Sequence, residues 1–84
     1  EYNMKIKKTF IETAFDDGDI MLYDSNDGKT YILNYTAKVV YDYLKKDCYD
    51  SVDKLFESIL EEYDDFPLDY FNETIDKFNE FGLI

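Results

Sequence analysis

"YILNYTAKVV", residues 31–40, changes its period in the middle. Tyr31-Ile32-Leu33 carries the β-branched and aromatic side chains of a strand. From Ala37 onward the apolar residues recur at helical spacing: Ala37, Val40, Tyr41 and Leu44 fall at i, i+3, i+4 and i+7. Asn34 stands between the two patterns. Its side chain can accept a hydrogen bond from the first free amides of a helix, so it ends the strand and caps the helix.

Outward from this corner the chain divides in two. On the N-terminal side, residues 4–15 hold Ile6, Phe10, Ile11 and Phe15 among lysines and predict a first strand. Asp16-Asp17-Gly18-Asp19 predicts a turn, residues 20–24 a second strand, and Asn26-Asp27-Gly28 a hairpin turn into a third strand over 29–33. On the C-terminal side, helices are predicted over 35–46, 51–63 and 67–81. Asp50 or Ser51 caps the second, Pro67 opens the third and Gly82 closes it. The expected architecture is α+β: a three-stranded antiparallel meander followed by three helices, in one domain covering residues 1–84. Glu1-Tyr2-Asn3 precedes Met4-Lys5-Ile6, which reads either as a natural start at Met4 behind a tag remnant or as a piece of a longer chain.

Composition narrows the function classes. There are no histidines and a single cysteine, Cys48. Zinc sites built from His and Cys, nucleophile–His pairs and intrachain disulfides are therefore ruled out, and a reducing cytoplasm is the expected setting. The net charge is −11, and all nine basic residues are lysines. Nucleic-acid binders carry basic faces and favour arginine, so no nucleic-acid partner is expected. No apolar run is long enough for a membrane span. The acidic run Glu61-Glu62-Tyr63-Asp64-Asp65 reads as a solvated helix end.

Three motifs fail on inspection. Tyr23 to Asn34, with Gly28 at the sixth position, has the length of a calcium loop, but Tyr23 and Asn34 stand where it needs carboxylates. Asp50-Ser51-Val52 resembles the phosphopantetheine-bearing serine of carrier proteins over three residues only, and an ordinary helix cap accounts for it. Cys48 has no base beside it in the sequence. No catalytic constellation emerges, so the chain is expected not to be an enzyme and to need no cofactor.

The third helix sorts into stripes at about 100° per residue. Leu68, Phe71, Ile75 and Phe78 form the expected core face; Asn72, Glu73, Asp76, Asn79 and Glu80 the solvent face. Between them run Tyr70, Thr74, Lys77 and Phe81, spaced i, i+4, i+7 and i+11. This third stripe is either a core margin, with Tyr and the Lys stem lying over it, or one wall of a groove.

The corner Leu33-Asn34-Tyr35-Thr36-Ala37 and the ending Phe81-Gly82-Leu83-Ile84, set in this order of elements, resemble the PqqD-like family, the recognition elements of ribosomally made peptide natural products. Leu33, Asn34, Thr36 and Ala37 match the family's corner; Phe71, Ile75, Phe78, Gly82 and Leu83 match its ending. Tyr70 stands where family members often carry Asp. The resemblance implies a fold like a winged helix-turn-helix that binds the leader segment of a precursor peptide. The leader adds as a strand to the edge of the third strand, Lys29, Thr30, Tyr31, Ile32 and Leu33, opposite Tyr70, Thr74, Lys77 and Phe81. It also implies a partner enzyme that modifies the peptide: a radical-SAM enzyme, a cyclodehydratase, or a lasso-type protease and cyclase. The alternatives are a winged-helix DNA-binding regulator, weakened by Lys77 being the only basic residue of the third helix, and a carrier-like protein armed at Ser51.

Overall fold

The computed structural model describes residues 4–84. It contains β1 (Ile11–Ala14), β2 (Ile20–Tyr23), β3 (Thr30–Leu33), α1 (Tyr35–Lys46), α2 (Val52–Glu62) and α3 (Leu68–Glu80). The sheet is antiparallel in the order β1-β2-β3, and three helices follow it, an α+β arrangement as expected.

Local chemistry sets each corner. Asp24 ends β2 and organises the hairpin turn: its carboxylate accepts from the Asn26 amide at 2.9 Å, and its carbonyl accepts from the Gly28 amide at 2.8 Å. Gly28 sits at φ +75°, in the left-handed region where a side chain is strained. Asn34 Oδ1 accepts from the Ala37 amide at 2.9 Å and starts α1. Ser51, not Asp50, caps α2, accepting from the Lys54 amide. α3 ends in a Schellman motif: the Gly82 amide donates to Asn79 and the Leu83 amide to Phe78. Gly82 adopts φ +77°, and Leu83 is fully buried beyond it.

The core lies between the inner face of the sheet and the helices. β-strand alternation sends Ile20, Leu22, Tyr31 and Leu33 inward, and Met21, Tyr23, Thr30 and Ile32 outward. α1 is the central helix. Beside the expected face of Ala37, Val40, Tyr41 and Leu44 it also buries Val39 and Tyr43, and it packs on β3, α2 and α3. Phe71, Ile75 and Phe78 of α3 are buried as expected, and Phe71 packs on Phe56 with ring centroids 4.8 Å apart.

Two expectations differ. The first strand is far shorter than residues 4–15. Segment 4–10 is extended only in part and turns to other partners: Met4 exchanges both backbone hydrogen bonds with Tyr49, and the Lys7 amide donates to the Leu83 carbonyl at 2.7 Å. Apolar and β-branched content predisposes a segment to extended backbone but does not choose its partner. Leu68, which shares the core stripe by spacing, is 52% exposed. The helix begins there, one turn before the packed layer that opens with Phe71.

Candidate functional site

β3 is an edge of the sheet, and the direction of its amides follows from the ladder. The Asp24 amide donates to the Lys29 carbonyl at 2.9 Å, in register with the pairs Leu22–Tyr31 and Ile20–Leu33. In an antiparallel ladder, hydrogen-bonded pairs alternate with non-bonded ones. Tyr31 and Leu33 therefore bond inward to β2, and Thr30 and Ile32 turn their N–H and C=O groups away from the sheet. The other hairpin agrees: Phe15 donates to Asp19 at 2.9 Å, which directs Met21 and Tyr23 toward β1 and leaves Ile20 and Leu22 for β3.

Beside that edge lies a cavity of about 380 Å³, open to solvent, whose second wall is α3. Eight of the nine residues expected from the sequence line it: Thr30, Tyr31, Ile32 and Leu33 from the strand, and Tyr70, Thr74, Lys77 and Phe81 from the helix. Lys29 does not. Its amide donates to the Asp27 carboxylate at 2.9 Å and its carbonyl accepts from Asp24, so its backbone belongs to the hairpin turn. Asn34, Thr36, Ala37, Glu73 and Phe78 also line the cavity without having been singled out for it. Glu73 had a legible signal: it lies one turn before Lys77 and three residues after Tyr70. Asn34, Thr36 and Ala37 contribute because the start of α1 closes one end of the groove, a tertiary fact with no local signature.

The lining is mixed, with polar and apolar surface in about equal share. Tyr70 and Ile32 are each 60% exposed and Phe81 is 37% exposed, large side chains facing solvent around one depression. The Tyr31 ring packs on Phe81 with centroids 5.0 Å apart, so the C-terminal end of α3 lies against the first half of β3. Phe10 packs edge-on against both Tyr31 and Tyr41, which ties this contact to the core. Thr74 is buried, and its hydroxyl donates to the Tyr70 carbonyl at 2.8 Å. It thus contributes shape to the groove and no free proton donor. Glu73 and Lys77 supply one charge of each sign.

At the opposite edge of the sheet, the Glu12 carboxylate accepts from the Tyr41 hydroxyl and from Lys45, both at 2.7 Å. The Lys45 hydrogen bond, and behind it that of Tyr41, holds the Glu12 carboxyl below its usual range despite partial burial. Burial and this carboxylate push the Tyr41 hydroxyl well above its ordinary value. The trio joins α1 to β1 and takes no part in the groove. No helix of the described residues is long and apolar enough to cross a membrane.

Comparison of the chain with family models, with curated proteins and with solved structures finds no match.

Proposed function

We propose that this chain binds an extended peptide, the leader segment of a ribosomally made precursor, by strand addition to β3 beside α3, and holds it for a separate modifying enzyme. One observation supports this above all. The free N–H and C=O groups of Thr30 and Ile32 border an open, aromatic-rimmed cavity on α3. An exposed edge is a ready template for an incoming strand. β1 is also an edge, but none of its residues lines this cavity, the cleft at Lys5 and Lys46 or the one at Cys48 and Ser58.

The magnitudes are consistent with such a role. Two N–H and two C=O groups at about 1 kcal/mol net each provide roughly 4 kcal/mol. A micromolar complex needs about 8 kcal/mol. Backbone pairing alone falls short of that, the more so because association itself costs about 4 kcal/mol or more. Side chains supply the rest, and truncating an aromatic anchor such as Tyr70 or Phe81 is expected to cost about 2 kcal/mol.

A pair of proline variants tests strand addition. Proline removes one N–H and is tolerated on an edge only where that amide points away from the ladder. Thr30→Pro is expected to fold and to bind poorly the leader of a precursor encoded beside this chain's gene, as measured by titration calorimetry. Tyr31→Pro removes a ladder bond to Leu22 and is expected to damage the fold. A folded Thr30→Pro that binds as tightly as the parent contradicts strand addition at this edge.

A further inference from the structure

Five of the nine lysines occupy two short stretches, Lys5-Ile6-Lys7-Lys8 and Lys45-Lys46. The fold brings these stretches together. Lys5, Lys8, Lys45 and Lys46 line a cleft of about 310 Å³, with half-buried Ile6 and buried Leu44 as its apolar part and Asp47 as its one carboxylate. The backbone fixes the arrangement: Met4 is clamped to Tyr49 at 2.7 and 2.9 Å, and the Lys7 amide to Leu83. Two of the lysines are partly neutralised, Lys45 by Glu12 at 2.7 Å and Lys8 by Asp24 at 3.6 Å and Asp27 at 3.8 Å. Lys5 and Lys46 form no ion pair among the described residues. In a chain of net charge −11, a cleft lined by four lysines and one carboxylate, two of those lysines without an ion pair among the described residues, runs against the rest of the surface.

We propose that this cleft docks an acidic segment of a protein partner, with an apolar side chain set between its carboxylates. The chemistry favours that occupant. Lysines on both sides of an apolar floor match carboxylates flanking a hydrophobic residue. A long polyanion or a lipid surface would extend past the cleft onto a strongly acidic surface and be repelled there. The cleft shares no lining residue with the β3–α3 groove, so it stays open when the proposed leader is bound.

The test is an NMR titration of the isotope-labelled chain at low salt with the blocked peptide Glu-Asp-Leu-Glu-Asp. Shifts are expected to localise to residues 5–8 and 44–46, and to persist in Phe81→Ala. The double variant Lys5→Glu with Lys46→Glu is expected to weaken binding about tenfold or more, since each exposed charge contact is modest and reversal turns attraction into repulsion. If charge reversal disturbs the fold, Lys5→Gln with Lys46→Gln serves the same purpose. The proposal is overturned if no localised shifts appear, if they fall in the β3–α3 groove, or if the charge variants bind undiminished. It is overturned equally if a DNA duplex or a phosphatidylserine vesicle occupies the cleft more tightly than the peptide.

Discussion

Phe71 and Phe78 lie on α3 and Phe81 caps its C-terminus, all within eleven residues, yet their substitution is expected to have different consequences. Phe71 and Phe78 are each 1% exposed, so truncating either to Ala is expected to cost roughly 3–5 kcal/mol of stability. Phe81 packs on Tyr31 at the groove, and Phe81→Ala is expected to leave a folded protein that binds leader about 2 kcal/mol more weakly. Thermal denaturation and calorimetry on the same samples separate the two effects; a Phe81→Ala variant with no folded fraction contradicts the assignment. Glu12 offers a different residue-scale test. Its folded carboxyl is held low by Lys45 and Tyr41, so its contribution is present above the unfolded value of about 4.3 and is lost as pH falls through the folded value. Glu12→Gln is therefore expected to reduce stability at neutral pH and to flatten the acid limb of the stability profile. An acid limb identical to the parent's contradicts this linkage. The stripes of α3 were legible residue by residue because helical geometry converts spacing into faces. The network at Glu12 was not, since its partners lie 29 and 33 positions away.

Corners rather than interiors decide the elements. Asn34 has β-region backbone and caps α1 through its side chain, which is why strand and helix meet without a linker. Asn34→Ala is expected to cost about 1 kcal/mol, lowering the melting temperature by about 4–8 °C in a domain of this size. Gly82→Ala forces a side chain into the left-handed region and is expected to cost a similar amount. A melting temperature unchanged in either variant contradicts the capping account. Caps and turns read well from sequence because their chemistry is local: Asn34, Ser51, Gly28 and Gly82 all sit where their residue types direct. The start of β1 read poorly for the converse reason. Segment 4–10 answers to Tyr49 and Leu83, and those partners are set by how α2 and the end of α3 pack.

At the scale of the molecule, charge is unevenly spread: the surface is acidic, the β3–α3 groove carries one charge of each sign, and four of the nine lysines line the cleft between residues 5–8 and the end of α1. The leader is accordingly expected to be neutral or basic, and its affinity to fall with added salt, since attraction between exposed charges is screened over about 10 Å at 0.1 M. Affinity that is unchanged or improved at high salt contradicts this. The three-strand, three-helix order was readable from period changes and turn residues. The pairing phase of β3 was not, because both phases are compatible with the same five residues and only the hairpin hydrogen bonds, Asp24 to Lys29 and Phe15 to Asp19, separate them. That phase carries the central claim, and amide hydrogen exchange followed by NMR reads it directly. In the free protein the Tyr31 and Leu33 amides are expected to be protected and those of Thr30 and Ile32 to exchange nearly as fast as in an unstructured chain. At saturating leader, Thr30 and Ile32 are expected to slow by about tenfold or more, as their amides enter new hydrogen bonds. Exchange at Thr30 and Ile32 that stays fast in the saturated complex would contradict strand addition at β3.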